Sequence, residues 1–525
     1  MTTRREGWFD VAALEDLNAR GSAVVRVGGK QLALFGTDRG VFACNNRCPH
    51  EGYPLAEGSV DGRCVLTCNW HNWKFELKSG ENLFGGDELR TYPTRVIEGR
   101  VWVELREPPI EQAHAKARER LLQAIDDDEY DRIAREAARL LRLGATAETI
   151  LSDAVAHVAP HLEFGMGHAF AALPDWLGLG DESPDEADRL ACVVEPLAHM
   201  ARDGLRQPRF EFADSAQPYS PEALMDAIER EDRASAEALL LGALAQGEED
   251  RELARVLTRS ALRHYADFGH SAIYVQKAFE ASKCLGPSAR TPLLLSLVRS
   301  LSYAQRDDLL PEFRGYASAL SRFGSGRDAV PGAEDFVELG AEDAMERVVA
   351  ASAAPPLELH RVLLVAAAVR MLHFDVQWAE RWDRPVSDNV GWLDFTHALT
   401  FANAVRELCE AEPGAWPAAL LQMACFVGRN RRYVSRDLPA PWAQRGPEDV
   451  DLDRLRDRVL DHGTREPILS AHGLKTFVAV RRELAHSRDV AVLVVALERF
   501  LTTPLKLRHV RRSARQALAL VSRED

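Results

Sequence analysis

The spacing of apolar and polar residues divides the chain into two parts. Up to about residue 108, apolar residues occur in short runs separated by turn-forming residues, a pattern typical of β-strands. We predict strands at residues 23–27, 32–35, 41–44, 65–67, 73–77 and 100–104. Residues 1–108 are therefore predicted to form a small all-β domain.

The pattern changes after the sequence Glu107-Pro108-Pro109. From there to residue 525, apolar residues recur every three to four positions, as in the segments SPEALMDAIEREDRASAEALLLGALA and VAVLVVALERFL. This period is typical of α-helices that bury one face. Residues 109–525 are therefore predicted to form a large all-α domain in a multidomain protein.

Composition narrows the class of protein. The chain has 525 residues, of which 46% are hydrophobic and 28% charged, with a formal net charge of −15. These values are typical of a globular protein with more than one core, and the acidic balance disfavours nucleic acid as a partner. The longest apolar runs, residues 362–369 and 490–497, are far shorter than the roughly twenty residues that cross a bilayer. The N-terminal sequence has no apolar signal segment, so we expect a cytoplasmic protein with no membrane partner.

Four of the eight cysteines lie close together, which favours a metal site over disulfides in a reducing compartment. Cys48-Pro-His50 is followed, after 17 residues, by Cys68-Asn-Trp-His71. Two thiolates and two imidazoles are the ligand set of a [2Fe–2S] cluster in which one iron has two cysteines and the other two histidines. The alternatives are four ordinary core residues or a zinc site.

These residues resemble the Rieske family. The resemblance covers residues 7–106 and is carried by the stretches NRCPHEGYPLAEG and CNWHNWKFELKSG. It implies that Cys48 and Cys68 bind one iron and that His50 and His71 bind the other.

The flanking residues indicate which branch of the family this domain resembles. Respiratory members carry a further cysteine in each cluster loop, and the two form a disulfide; Tyr53 and Trp70 occupy those places here. The domain therefore looks like the ferredoxin and oxygenase branch, although His71-Asn72-Trp73 replaces the usual His-Gly-Trp. Because a Rieske cluster transfers one electron and forms no bond to substrate, we expect the chemistry elsewhere in the chain.

Conventional Rieske oxygenases continue into an α+β domain that binds iron through two histidines and one aspartate. The helical continuation here lacks the corresponding Asp-x2-His-x4-His run. The nearest candidates are His157, His161 and His168, which lie within roughly 40° of one another on an unbroken helix. Pro160 would distort such a helix. We predict these three histidines as metal ligands.

A second apolar segment places His270, Tyr274 and Lys277 on one helical face. We predict His270 as a further ligand and Tyr274 and Lys277 as catalytic candidates. A lysine in an apolar stripe is costly unless it is neutralised, paired or modified. Lys277 is thus a carbamylated ligand, a cation that holds an anionic substrate, or a surface residue that extends its ammonium to water.

A third segment contributes His397, which lies between apolar neighbours and is predicted as a metal ligand. Three apolar segments with histidines, fused to an electron carrier, favour a second metal centre. Other histidines lie beside charged or loop residues and are predicted on the surface: His114, His199, His462, His472, His486 and His509.

The stretch HVAPHLEFGMGHAF and the later run LVAAAVRML…GWLDFTHALTFANAV resemble questin-oxidase-like proteins, a helical family associated with oxidative cleavage of aromatic polyketide rings. The resemblance implies a non-haem iron site on His161, His168 and His397, with His157, His270 and Lys277 as further candidates. The fused Rieske domain departs from that family.

The leading hypothesis is an oxidoreductase in which the Rieske cluster supplies electrons to a histidine-bound non-haem iron for O2-dependent oxygenation or C–C cleavage of a small organic substrate, such as an aromatic natural product. No Gly-rich nucleotide-binding fingerprint follows a strand, so an external NAD(P)H-dependent reductase or ferredoxin is the expected partner. The alternative is a tethered ferredoxin or redox sensor with a helical docking module and no second metal. Mononuclear or dinuclear iron, homo-oligomerisation, the substrate and modification of Lys277 stay open.

Overall fold

A computed structural model describes residues 4–5, 7–381, 383–386, 389–506 and 509–523. The chain forms two compact units, Met1–Ala117 and Arg118–Asp525. The first is built from β-sheets and the second from helices, which confirms the predicted fold class. The boundary between the two domains that the sequence places at residue 108 stays a prediction.

The β unit contains three antiparallel four-stranded sheets with the strand orders β1-β2-β12-β11, β10-β5-β4-β3 and β6-β7-β8-β9. One helix, α1 (Leu14–Arg20), follows β2. The strands are β1 (Arg4–Arg5), β2 (Trp8–Ala13), β3 (Ser22–Val27), β4 (Lys30–Thr37), β5 (Gly40–Asn45), β6 (Ser59–Val60), β7 (Val65–Thr67), β8 (Lys74–Glu76), β9 (Asn82–Phe84), β10 (Thr91–Tyr92), β11 (Thr94–Ile97) and β12 (Arg100–Glu104).

Strand β4 is buried on both faces because it lies between two apolar cores. Ala33 and Phe35 face the core that contains the clustered cysteines, whereas Leu32 and Leu34 face the other core. This alternation follows from the two-residue period of a strand. Because Ala33 pairs with Cys44 on β5, Cys44 also enters the cysteine-containing core.

The helical unit follows the predicted three-to-four-residue period. The helices are α2 (Ile110–Asp126), α3 (Tyr130–Arg142), α4 (Ala147–Val158), α5 (His168–Asp181), α6 (Glu186–Gly204), α7 (Pro221–Glu229), α8 (Arg233–Gln246), α9 (Asp250–Leu262), α10 (His270–Leu285), α11 (Pro287–Ser302), α12 (Tyr316–Arg322), α13 (Glu334–Val337), α14 (Ala341–Ala350), α15 (Pro356–Leu372), α16 (Gln377–Glu380), α17 (Leu393–Ala411), α18 (Trp416–Arg429), α19 (Ala440–Ala443), α20 (Leu452–Leu460), α21 (Pro467–His486), α22 (Val492–Thr502) and α23 (Val510–Val521). Among the described residues, none of these helices is both long and apolar enough to cross a bilayer.

Four of these helices, α5, α10, α17 and α21, pack in a closed circuit in which each contacts two of the others. Most side chains of α10 and α17 are buried, as expected for helices surrounded by protein. A polar side chain that points into this circuit is therefore removed from water.

Candidate metal centres

The two predicted cluster loops have the same backbone structure. In the first, the amide of Cys48 donates to the carbonyl of Tyr53 at 2.9 Å; in the second, the amide of Cys68 donates to the carbonyl of Trp73 at 2.8 Å. Each loop spans six residues and returns its backbone to the cysteine with which it begins. The residues two and three positions after these cysteines, His50 and His71, are presented at the loop tips.

A left-handed residue closes each loop at the fourth position after the cysteine. Gly52 has φ 76° and Asn72 has φ 63°, and their amides donate to the carbonyls of Cys48 and Cys68 at 2.8 and 2.9 Å. Left-handed φ favours glycine, and asparagine is among the few other residues that adopt it readily. Asn72 therefore preserves the backbone that glycine gives in the usual His-Gly-Trp.

The four predicted ligands form a buried sulfur pair and a more exposed imidazole pair. Cys48 and Cys68 are 3% and 1% exposed, whereas the rings of His50 and His71 lie at the surface with centroids 4.7 Å apart. Nδ1 of His50 is buried and has no hydrogen-bond partner among the described residues. Burial, then the adjacent Cys68 thiol, raises the pKa of Cys48 to about 12. A cation bound between the two loops would accept the lone pair of Nδ1 of His50. It would also offset the free-energy cost of ionising the buried thiols of Cys48 and Cys68.

Aromatic side chains hold the imidazoles in place. Trp73 stacks on His50 at 4.6 Å and Trp70 stacks on His71 at 5.0 Å. Tyr53 and Trp70, in the places that hold the disulfide cysteines of respiratory members, contact each other at 5.5 Å. An aromatic contact thus connects the two loops here.

The helical unit contains a second centre, made of four histidines from the four central helices: His168 on α5, His270 on α10, His397 on α17 and His472 on α21. The rings form a closed circuit with neighbouring centroids 4.9, 4.6, 4.6 and 4.7 Å apart. Nε2 of His168 lies 3.3 Å from Nε2 of His270 and 2.9 Å from Nε2 of His472, and the Nε2 atoms of His270 and His397 are 2.9 Å apart.

Backbone carbonyls determine the tautomers of two of these rings. Nδ1 of His270 donates to the carbonyl of Asp267, and Nδ1 of His397 donates to that of Leu393, both at 2.5 Å. A neutral imidazole carries one proton, so both Nε2 atoms present lone pairs that face each other. Such an arrangement is repulsive unless a cation lies between them. Two nitrogen atoms that each bind an octahedral metal ion at about 2.1 Å from adjacent positions are about 3.0 Å from each other. This distance is close to the observed Nε2–Nε2 separations.

Burial keeps the four imidazoles neutral. It lowers the pKa of His168, His397 and His472 well below the usual value and that of His270 to about 4. Neutral imidazole is the form that binds a metal. The residues present therefore fit a metal ion, and imidazole ligands suit iron among other transition metals.

The structure separates two of the predicted ligands from this centre. Nε2 of His157 contacts Asp126 at 2.7 Å and Nδ1 of His161 contacts the carbonyl of Gln207 at 3.0 Å. The helix that would align them with His168 is not continuous, because α4 ends at Val158 and α5 begins at His168. His157 and His161 are therefore not brought into the histidine centre.

Of the two catalytic candidates, only Tyr274 lies at the centre, with its hydroxyl 3.4 Å from Nδ1 of His168. Lys277 is 4% exposed and donates to Asp175 at 2.8 Å and Glu280 at 2.9 Å. The surface alternative for Lys277 is therefore wrong. Burial opposes its charge, but Asp175 and Glu280 outweigh burial and raise its pKa, so the neutral amine that a carbamylated ligand requires is disfavoured.

Comparisons with known proteins identify the β unit. A model of the Rieske [2Fe-2S] domain matches residues 7–90. The 3-phenylpropionate/cinnamic acid dioxygenase ferredoxin subunit of Photorhabdus laumondii is 30% identical over 99 residues, which are 18% of this chain and 93% of that protein. The chain belongs to the Rieske family.

Two other matches also involve about a fifth of the chain. The oxidoreductase NdmD of Pseudomonas putida is 33% identical over 113 residues, 19% of each chain. The solved ferredoxin of carbazole 1,9a-dioxygenase from Nocardioides aromaticivorans is 22% identical, with a TM-score of 0.18 and coverage of 18% of this chain and 96% of that one. The Rieske domain supports a [2Fe–2S] cluster, for which Cys48, His50, Cys68 and His71 are the predicted ligands.

Sequence analysis missed His472, which was predicted on the surface and is 1% exposed; His199, at 5%, is also buried. The apolar residues around His472 in PILSAHGLKTFVAV are the signal that could have placed it on a buried helix.

The same helix carries Lys475, one turn after His472 and 3% exposed. Among the described residues, the Lys475 ammonium has no hydrogen bond or ion pair. Burial, the dominant effect, lowers its pKa to about 7.

Lys475→Met is expected to stabilise the fold in a pH-dependent way. Folding lowers the pKa of Lys475 from 10.5 to about 7. The free-energy cost of burying its charge is therefore at its full value below pH 7 and is absent above pH 10.5. The variant should gain on the order of 4 kcal/mol below pH 7, and the gain should decrease as the pH rises to 10.5. Urea unfolding across this range measures it, with the exposed Lys283→Met as control. A gain that is independent of pH would contradict the assignment.

The backbone before His270 is held in an unusual conformation. Asp267, Phe268 and Gly269 have φ 49°, 51° and 79°. Such left-handed residues outside glycine are strained and cluster at functional sites. At Gly269, a Cβ would also lie 2.7 Å from Phe426 and 2.8 Å from Phe401.

Gly269→Ala is therefore expected to destabilise the protein by about 2–4 kcal/mol, because strain and overpacking add. Gly247→Ala is the matched control: Gly247 follows α8 with φ 76° and ψ 28°, the same left-handed region as Gly269, and its Cβ would meet nothing within 4 Å. It should cost only about 1 kcal/mol. Urea unfolding compares the two, and equal costs would show that the aromatic contacts at Gly269 are unimportant.

Proposed function

We propose that this protein is an oxygenase that couples its Rieske cluster to an iron ion held by His168, His270, His397 and His472. The observation that carries the proposal is the convergence of His168, His270 and His397, whose ligand atoms lie within 4.8 Å of one another, with Nε2 of His472 2.9 Å from Nε2 of His168. Backbone carbonyls fix Nδ1 of His270 and of His397. When bound there, iron would supply one-electron reduction and activation of O2. The substrate would be a small organic molecule.

The Rieske domain favours iron over the other metals that imidazoles bind. A one-electron carrier in the same chain can supply the second centre only if that centre accepts electrons, which zinc does not. The resemblance of the segments around His168 and His397 to questin-oxidase-like proteins supports the same assignment.

The residues around the histidines have separable roles. The carbonyls of Asp267 and Leu393 orient two imidazoles, a second layer of contacts that typically tunes metal affinity. The Tyr274 hydroxyl, 3.4 Å from Nδ1 of His168, would hold a proton at that atom. Burial of His397 and His472, which are 6% and 1% exposed, limits contact of bulk water with that side of the centre.

The proposal is tested by iron content together with oxygen uptake driven by NADH, a generic reductase and a ferredoxin. A single iron at the histidines predicts about three iron atoms per chain, because the cluster accounts for two, and predicts reductase-dependent oxygen uptake. About four would indicate a dinuclear centre. About two, with no oxygen uptake, would favour the tethered ferredoxin or redox sensor.

A further inference from the structure

A cavity of about 970 Å³ opens beside the histidine centre. Within the part of the chain that the structure describes, its wall includes Arg370 near the end of α15, Asp394 in the first turn of α17 and Arg429 at the end of α18. Binding sites for small organic molecules have volumes of roughly 300–1,000 Å³. The cavity is therefore large enough for a substrate with several rings.

A chain of contacts connects the cavity wall to the histidines through Phe268. The guanidinium carbon of Arg429 lies 3.9 Å from the ring centre of Phe268, and that ring is 5.0 Å from the ring of His397. Asp394 of the cavity wall follows Leu393, whose carbonyl orients His397. A molecule in the cavity would therefore lie near the proposed iron site.

The cavity wall is rich in positive charge although the chain is acidic overall. Its carboxylates are Glu312, Glu338 and Asp394, and burial raises the pKa of Glu312 and of Asp394. The arginines outnumber them: Arg370, Arg429, Arg431, Arg432 and Arg436. The cavity therefore favours an anion.

Arg370 is the group that most needs a partner. Its side chain is 2% exposed, and Nη2 donates to the carbonyls of Phe336 and Leu339 at 3.1 and 2.7 Å. Nε and Nη1 are buried without a hydrogen-bond partner among the described residues. Burial lowers the pKa of Arg370 to about 10, so the guanidinium stays charged at neutral pH. A buried charge with unused donors is costly unless an anion binds to it.

We propose that the substrate is an organic anion whose carboxylate binds Arg370 and Arg429 and whose apolar body packs against Phe313, Val369 and Val390 of the cavity wall. A guanidinium is the planar, fork-shaped partner that carboxylates prefer. The exposed Arg431, Arg432 and Arg436 would attract the anion to the cavity. This inference rests on the proposed function for its chemistry, but anion binding itself does not require iron.

Calorimetric titration of the fully loaded protein with 2-naphthoate and its neutral analogue 2-naphthamide tests the inference. Naphthoate is expected to bind at least about tenfold more tightly, the effect of hydrogen bonds to a charged group. Arg370→Gln should reduce the preference to about twofold or less. Arg322→Gln, which removes a surface arginine paired with Glu346, should leave it unchanged.

Equal binding of the two probes, no binding of naphthoate, or an unchanged preference in Arg370→Gln would overturn the inference. Because Arg370 also supports the carbonyls of Phe336 and Leu339, Arg429→Gln provides a second variant if the first does not fold. Tighter binding of 2-naphthyl phosphate than of naphthoate would overturn the carboxylate assignment. Iron content is measured in the same samples, so a missing iron, which sinks the proposed function, is distinguished from a missing anion preference.

Discussion

His168→Ala is expected to remove the proposed iron of the helical unit and to lower reductase-driven oxygen uptake at least about 100-fold. Nε2 of His168 lies within 3.3 Å of the Nε2 atoms of both His270 and His472, so its loss opens the centre between two ligands. Removal of groups that only orient ligands typically costs 10–100-fold in metal affinity or activity, and loss of a ligand should cost at least as much. Iron analysis should give about one atom fewer per chain, with the visible spectrum of the Rieske cluster unchanged.

His157→Ala is the matched control for this variant. His157 lies outside the centre and contacts Asp126, so iron content and oxygen uptake should equal those of the unsubstituted protein. If His168→Ala keeps its iron and its activity, the histidine centre is structural and the oxygenase proposal fails.

Cys68→Ala is expected to abolish the Rieske cluster and all reductase-driven oxygen uptake, while the iron at the histidines remains. Cys68 is 1% exposed and begins the second cluster loop, so no water or other side chain readily replaces its thiolate. The measurements are the cluster absorption spectrum, iron per chain and oxygen uptake. Iron should fall by about two atoms, leaving about one.

Cys44→Ala is the control for the cluster variant. Cys44 is 0% exposed and lies in the same core, so it tests the effect of losing a buried thiol without losing a ligand. The cluster should persist in Cys44→Ala. Retention of the cluster in Cys68→Ala would contradict the ligand assignment, and retained oxygen uptake without a cluster would show that the helical unit receives electrons by another route.

The sequence predicted local features of this protein well because their causes are local. The predicted cluster ligands Cys48, His50, Cys68 and His71 lie in two six-residue loops, where residue spacing indicated them. The change from a two-residue to a three-to-four-residue apolar period likewise predicted β-sheets followed by helices, as the structure confirms.

The histidine centre depends on packing between helices and was predicted in part. His168, His270 and His397 were identified because each lies in an apolar segment, but a helical period shows which face is buried and not which other helix it meets. His472 contacts His168 across 304 positions of sequence and was missed. His157 and His161 were included because the helix was assumed to continue to His168 and because the resemblance to questin-oxidase-like proteins implied them.

Anomalous X-ray scattering at the iron absorption edge from crystals of the fully loaded protein tests the central claim most directly. Two separate sites are predicted, one between the loops of Cys48 and Cys68 and one among the Nε2 atoms of His168, His270, His397 and His472. Iron at the Rieske loops alone, or a signal at the zinc edge from the histidines, would contradict the account.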